Sequence, residues 1–457
     1  MKPRILFLNR SYWPDTEATG QLLTDLAEDL AGRFDVHVLA GHPNHVAGSG
    51  YSHARVEHRN DVTIHRTRHS RFPKTSKVGK LANLMSFTAA AYLRQRRKIR
   101  PDVVVAQTDP FFLPLVASRI KRRTGCRMIV TLQDIYPDVM VGVGLLREGR
   151  TTRMIRDLLQ RAYHRADRIV VLSRDMRQKC LDWGLPEEKL VVIPNWADTT
   201  LIQPEKQHNQ FRTRLGLDQS FVVMYSGNLG YAHLLEPLLS AAKHLQSRPE
   251  IKFVLIGDGV QKPRLERLTA ELGLSNVQFL PYQPREDLSQ SLSAADVHFV
   301  SMHPRVADCL MPSKLYGILA SGTPLIAACP TDSELADVVQ DFEVGVVCDT
   351  GAQRHPADNV RLSRELADSI AALADDRERT RRMGVAARDV AVEKFDRRLQ
   401  TDLFAQLLNE LLAGSADSTA EDTAVIATAA DTQPLQRPSR RTKSEPALSD
   451  PFLTAPS

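Results

Sequence analysis

Hydrophobic and polar positions alternate between two regimes along this chain. Short runs rich in apolar and β-branched residues recur, each followed by a stretch whose apolar residues return every three or four positions. In the first half the runs are Arg4–Asn9, Asp35–Ala40, Val62–Arg66, Asp102–Gln107, Met128–Gln133, Arg168–Leu172 and Leu190–Pro194. In the second half they are Phe221–Ser226, Lys252–Gly257, Val277–Pro281, Asp296–Ser301, Leu325–Ala328 and Gly345–Cys348. Near-continuous apolar strands alternating with helices predict parallel sheets covered on both faces. Two such series predict an α/β protein of two doubly wound domains, with the seam near Pro194–Asp198.

Two helical stretches stand out. Gly79–Arg100 places Leu81, Leu84, Met85, Thr88 and Tyr92 on one stripe and ends in the basic run Arg94–Arg100. It reads as a core-facing helix or as one docked at a membrane interface. Arg397–Leu412 gathers Leu399, Leu403, Phe404, Leu407, Leu408 and Leu411 on one face, so it must pack on something. Beyond Gly414 large apolar residues become scarce, and residues 415–457 are expected to stay disordered, with Arg437–Lys443 a weak basic contact or nothing.

Composition narrows the class. A length of 457 residues suits two or three domains, and 42% hydrophobic with 25% charged residues is ordinary for a soluble globular chain. No run reaches the roughly 18–20 apolar residues of a spanning helix, and Met1–Arg4 leads into a strand rather than a signal peptide. Five scattered cysteines argue for reduced thiols in a cytoplasmic protein, not a disulfide frame or zinc site. Charge is uneven: residues 1–195 carry 33 Lys/Arg against 19 Asp/Glu, while the remainder is net acidic. No nucleic-acid motif or aromatic platform accompanies Arg94–Arg100 or Lys121–Arg123. These runs read as solvated helix faces or as peripheral contacts with an anionic membrane.

Candidate chemistry concentrates in Met311–Ile326. Pro312 and Ser313 signal a helix start, Leu315, Ile318 and Leu319 form its apolar face, and Gly322-Thr-Pro324 ends it before a strand. Free amides, the helix dipole and Lys314 would converge on an anion, and a diphosphate is the natural guest. Four strand-end loops add glycines and polar groups. They are Asn9–Gly20, Gln133–Asp138, Tyr225–Gly230 and Ile256–Gly259, the last followed by Lys262. Gly227 and Gly230 suit a phosphate cradle but spell neither a dinucleotide fingerprint nor a P-loop. Ile256–Gly259 reads as a second such turn or as a structural one. Asp134 is a catalytic carboxylate or a helix cap, and Asp138 a cap. His45, His233 and His303 read as turn or surface residues. There is no D-x-D triplet, so no carboxylate-held metal and no cofactor is signalled.

Six motifs now stand in order. They are Tyr12-Trp-Pro14 to Gly20, Asp134-Ile-Tyr-Pro137, Val192–Trp196, Ser226–Gly230, Ile256–Gly259 and Pro312–Pro324. Together they resemble the family 4 glycosyltransferases, closest to the WbuB- or WcaI-like subgroup that builds bacterial exopolysaccharide and O-antigen. The resemblance covers about residues 4–412. It implies a GT-B fold, two Rossmann-like domains facing across a cleft. An acceptor-side domain would span 1–196 and a nucleotide-sugar-binding domain 197–395. A helix at 396–413 would cross back to the first domain, with a tail from 414–457.

The resemblance also implies roles. Thr19 and Gly20 match the loop near the acceptor and donor phosphate, and Asp134 the acidic position facing the reacting centre. Gly227, Asn228 and Gly230 match the diphosphate loop, with Ser313, Lys314 and Leu315 at the adjoining helix start. A glutamate pair common in the family is replaced here by Cys309 and Gly317, leaving Asp308, Tyr316 or Glu334 as candidate ribose or sugar contacts. The implied activity is transfer of a hexosyl or N-acetylhexosaminyl group from a nucleotide diphosphate-sugar to a saccharide or polyprenyl-linked acceptor, with retention. It would proceed at the cytoplasmic face of the inner membrane, without nucleic acid. The alternatives are a nucleotide-sugar epimerase on the same fold and a catalytically inactive nucleotide-binding scaffold.

Overall fold

The apolar runs form two parallel sheets, each buried between helices. A computed structural model describes residues 1–43, 54–70, 72, 77–94, 99–351 and 356–414. Expectations for His45, for the middle of the Arg94–Arg100 run and for the 415–457 tail, Arg437–Lys443 included, lie outside the described residues. The first domain runs β1 (Arg4–Leu8), α1 (Ala18–Ala31), β2 (Asp35–Gly41), β3 (Val56–Arg59), β4 (Val62–Thr67), α2 (Lys77–Arg94) and β5 (Val103–Gln107). It continues through α3 (Leu113–Thr124), β6 (Arg127–Leu132), α4 (Asp138–Gly142), α5 (Arg150–His164), β7 (Arg168–Val171), α6 (Arg174–Asp182) and β8 (Leu190–Val192). The sheet order is β3-β4-β2-β1-β5-β6-β7-β8, parallel except for β3 against β4.

The second domain opens with α7 (Gln210–Arg214), β9 (Phe221–Ser226), α8 (Glu236–His244), β10 (Ile251–Ile256), α9 (Lys262–Glu271) and β11 (Val277–Leu280). Then come α10 (Leu288–Ser293), β12 (Val297–Ser301), α11 (Lys314–Ala320), β13 (Leu325–Cys329), α12 (Glu334–Asp341) and β14 (Gly345–Asp349). Three helices close the chain: α13 (Pro356–Asp375), α14 (Arg377–Lys394) and α15 (Arg397–Ala413). The second sheet, ordered β11-β10-β9-β12-β13-β14, is wholly parallel.

Crossover handedness sorts the first domain's helices. The β1-to-β2 step moves toward one sheet edge, and the β4-to-β5, β5-to-β6 and β6-to-β7 steps move toward the other. Right-handed connections therefore put α1 on one face and α2, α3 and α5 on the opposite one. α3 touches both α2 and α5 and lies between them. α15 returns to the α1 face, where Phe404, Leu407, Leu408 and Leu411 pack with Leu23, Leu26 and Leu30, while Leu399 stays exposed. The stripe expected on α2 is corrected. Phe87 and Ala91 face the core, whereas Met85 and Tyr92 are exposed, because the sheet claims a stripe offset from the one the spacing favours.

Two chain crossings tie the domains together. Ala197 bridges to Asp396, Ala197 N–H donates to Phe395 O at 3.1 Å, and Arg397 N–H donates back to Ala197 O at 2.9 Å. Arg397 then reaches Asp25 and Asp29 on α1, at 3.1 and 2.7 Å, and Arg285 from the second domain joins Asp25 at 3.0 Å.

A second junction lies on the cleft side. Helices α6 and α12 point their N-termini at each other, each capped by its own serine: Ser173 accepts from Met176 N–H and Ser333 from Ala336 N–H. Each start also receives a carboxylate from the other domain. Glu334 accepts from Arg174 N–H, and Asp175 accepts from Glu334 N–H at 2.7 Å. Arg174 also pairs with Asp337, and Lys179 with Asp308 at 2.7 Å. One apolar cluster runs through this junction, from Ile135 and Met176 of the first domain to Val306 and Leu335 of the second.

Burial at this junction pushes the Glu334 carboxyl up to about 7 from an ordinary 4.5. The folded chain then holds that proton more tightly than the unfolded chain does. The resulting stabilisation is fully present below pH 4.5 and is lost as pH rises through 7, on the order of 3 kcal/mol in all. Glu334→Gln is expected to flatten the change in urea-unfolding free energy between pH 5 and 8 by about 1–3 kcal/mol. An unaltered pH slope would refute this placement of the proton.

Candidate active site

Two glycine turns at adjacent strand ends interlock in the second domain. After β9, Gly227 N–H donates to Ile256 O, and Leu229 N–H donates to Asp258 O, both at 2.9 Å. After β10, Gly257 and Gly259 have φ of +139° and +154°, a region favouring glycine. A Cβ on Gly257 would lie 2.0 Å from Gly227 O, and one on Gly259 would lie 2.6 Å from Leu229 O. The Ile256–Gly259 turn is therefore the backing on which Gly227–Gly230 rests. Lys262 belongs to the same backing, its ammonium reaching Gly257 O at 3.3 Å.

Lys314 opens α11 directly beside that cradle. Its Nζ lies 3.7 Å from the centre of the Tyr225 ring and 3.2 Å from where a Cβ on Gly227 would stand. The Nζ atom is enclosed and has no hydrogen-bond partner, although part of the residue borders the cleft. Burial alone drives the ammonium well below the usual lysine range. Tyr225 donates its hydroxyl to Asn228 O at 2.6 Å, which fixes the ring under the ammonium and the turn beside it. His233 completes the enclosure, edge-on to Tyr225 and bonded through Nδ1 to Ser301 O at 2.8 Å. Burial, and secondarily Lys314, lowers His233 to about 3, so it stays neutral. His233 is a turn residue as expected, its N–H donating to Gly230 O at 3.2 Å, and its ring turns inward against Tyr225.

The facing wall comes from strand ends of the first domain. Asp134 follows β6 and pairs in an antiparallel bridge with Leu310, and Ile135 N–H donates to Cys309 O at 2.8 Å. That ladder sets Asp134 against the segment that leads into α11. Desolvation raises its carboxyl to about 6, and nearby Asp109 adds to the rise. Asp109, at the end of β5, accepts from Arg10 Nε at 3.1 Å and from Ser11 Oγ at 2.9 Å. Arg10 also pairs with Glu17 at 2.9 Å, just before Gly20. Sequence reasoning missed Arg10, Glu17 and Asp109, because only the fold brings two distant strand ends together. Gly20 is buried where a Cβ would stand 3.1 Å from Ser11 Cβ, and Thr19 is half-buried one position earlier.

Several expected contacts lie elsewhere. The Leu315 side chain is in the core, and its N–H bonds Pro312 O at 3.1 Å. Ser313 is exposed at the start of α11 and makes no side-chain cap. Tyr316 is buried edge-on to Phe395, so its ring cannot reach a ribose. Asp308 is held by Lys179, and Glu334 by the start of α6. Asp138 sits at the start of α4 and pairs with Arg156 at 3.1 Å. His303 caps a short turn, accepting from Arg305 N–H. Cys309 is buried, and a Cβ on Gly317 would meet Leu292 and Ile202.

This geometry has relatives. Residues 18–196 match the glycosyl transferase 4-like domain, and residues 207–390 match glycosyl transferases group 1. WcaI of Escherichia coli K12, named for colanic acid biosynthesis, is 28% identical over 358 residues, 76% of this chain and 88% of WcaI. WbjE of Pseudomonas aeruginosa, named as a glycosyltransferase, is 25% identical over 351 residues, 76% of this chain and 84% of its own. The crystal structure of HepE from Anabaena with UDP and glucose has a TM-score of 0.65 at 18% identity, covering 89% of this chain and 100% of HepE. The chain belongs to the family 4 glycosyltransferases and has their GT-B fold.

A buried cation without a partner costs stability, so Lys314→Met should raise the free energy of unfolding in the absence of ligand by about 1–3 kcal/mol. Gly257→Ala should lower it by at least about 2 kcal/mol, since the turn must move off Gly227. Chemical denaturation of both variants checks the pair. Destabilisation by Lys314→Met would mean that the ammonium is satisfied within the fold.

Proposed function

We propose that this glycosyltransferase moves a hexosyl or N-acetylhexosaminyl group from a nucleotide diphosphate-sugar to a hydroxyl of a saccharide or polyprenyl-linked acceptor, in cell-surface polysaccharide biosynthesis. The observation that carries the reading is the enclosed Lys314 ammonium beside the Gly227–Gly230 turn. A diphosphate seated there supplies the counter-charge that the fold withholds. The names of WcaI and the UDP complexes of HepE support the donor and pathway class.

In the proposed step, the bond between the sugar C1 and the diphosphate oxygen breaks while the acceptor oxygen bonds C1 from the same face. The acceptor proton passes to the departing diphosphate oxygen, and the configuration at C1 is retained. Lys314, beside the turn, holds the charge that grows on the leaving group. Ionised Asp134, across the cleft, stabilises positive charge building at C1. The acceptor lies along the Thr19–Gly20 side of the first domain. A lipid-linked acceptor places the reaction at the cytoplasmic membrane surface. No described helix is long and apolar enough to cross a membrane.

Lys314→Ala is expected to lower kcat at saturating donor by on the order of 10²–10³. Wild-type activity should fall as pH drops through about 6, where the Asp134 carboxylate takes up its proton. Steady-state rates across pH 5–8 test both, after a thermal-shift panel of nucleotide sugars has identified the donor. Full activity of Lys314→Ala would sink the assignment. Epimerised donor formed without acceptor would point to the epimerase instead.

A further inference from the structure

The layer of α2, α3 and α5 presents an outward surface that nothing in the described structure covers. Its two flanking helices each carry an exposed apolar ridge. On α5, Met154 is 65% and Leu158 42% exposed, one helical turn apart. On α2, Met85 is 49%, Tyr92 37% and Leu93 59% exposed, on the side away from Phe87 and Ala91. Between the ridges α3 sets Arg119, Arg122 and Arg123 in solvent, and α5 adds Arg150, Arg153 and Arg161 around Met154 and Leu158. Arg165 Nη1 donates to Ser118 Oγ at 3.3 Å, and Lys121 Nζ to Arg165 O at 3.0 Å, which fastens α5 to α3. The opposing acids are Asp157 and Glu148, and Glu148 pairs with Arg156 at 2.9 Å and with Arg153 at 3.6 Å.

Apolar ridges framed by arginines fit one partner better than any other. A soluble protein gains nothing from displaying Met154, Leu158, Tyr92 and Leu93 beside a cationic field, whereas the headgroup boundary of an anionic bilayer accepts both. Arginine side chains reach phosphate oxygens while the apolar residues enter the acyl boundary. α3 begins just after β5 and Asp109, so a bilayer against this layer lies alongside the first domain's half of the site.

We propose that the outward face of α2, α3 and α5 is the surface by which this glycosyltransferase docks on an anionic membrane. The inference rests on the membrane-surface reading above and assigns the contact to Met154, Leu158 and Tyr92, with Arg122, Arg123 and Arg161.

Flotation with vesicles of 30% phosphatidylglycerol in phosphatidylcholine, against phosphatidylcholine alone, tests it at low and high salt. The wild type should float with the anionic vesicles at low salt and be released as salt screens the arginines. The triple variant Arg122→Glu, Arg123→Glu, Arg161→Glu should partition at least about a hundredfold more weakly. Met154→Ser with Leu158→Ser should lose about tenfold. Donor binding should be unchanged in both, since none of these residues lines the cleft. Should a variant misfold, labelling decides. The native cysteines are all buried, so Leu158→Cys accepts a single environment-sensitive dye. Its emission should shift to the blue on anionic vesicles, while dye on Val385→Cys in α14 should not shift. A wild type that ignores anionic vesicles overturns both this face and the membrane reading. A wild type that floats, with both variants floating equally and no shift at position 158, rejects the face alone.

Discussion

The site depends on one unfavourable placement. An ammonium is put where neither water nor a carboxylate meets it, flanked by a ring, a neutral imidazole and a glycine turn. Removing a charge from water costs several kcal/mol even after relaxation, and the Tyr225 face returns only part of that. The surrounding residues make sense as devices that hold this arrangement. Tyr225 is pinned through its hydroxyl to Asn228 O, His233 is pinned to Ser301 O, and Gly257 and Gly259 allow a second turn to press against the first. A carboxylate at any of these positions would relax Lys314 and remove its pull on an anion. Low lysine pKa and high anion affinity are thus two expressions of the same geometry.

The domains meet by a different logic. Their junction does not rely on ion pairs alone, which contribute little where they reach solvent. Two helix starts face each other, a geometry that would repel if left bare, and each receives the other domain's carboxylate. Those carboxylates are desolvated by the apolar cluster between Ile135 and Leu335, which raises both of them. The same closure brings Asp134 to Leu310. Loosening the junction therefore withdraws Asp134 from the segment that leads into α11, which couples the relative position of the domains to the completeness of the site.

How far this was legible in the sequence depends on which force set each feature. The parallel strands were readable because burial on both faces writes a continuous apolar run, and the expected boundaries agree within a residue or two. β3 was not, because Val-Glu-His-Arg is a half-exposed antiparallel edge with no such run. The Gly227–Gly230 turn and Lys314 could be singled out because turn chemistry and charge are local, and the fold sets Lys314 beside Gly227. The directions of Asp308, Tyr316 and Glu334 were not readable, because a side chain near a motif can point to the motif, the core or the other domain. Sequence spacing does not distinguish these directions. Here Tyr316 went to Phe395, Asp308 to Lys179 and Glu334 to α6.

The same distinction governs the positive charge of the first half. Arg10, Arg127, Arg156 and Arg174 are all engaged with acids, and Arg4 holds Asp35 where β1 and β2 begin. Paired in this way, they add nothing to the net charge that the domain can offer a partner. What a surface can offer is set by the charges left in solvent, and on the α2–α3–α5 layer these stand beside apolar side chains that are also left in solvent. Arginines that are paired serve folding alone. Arginines clustered around Met154 and Leu158 define a direction of approach, and that direction sets the first domain's half of the cleft alongside the surface that would carry a lipid-linked acceptor.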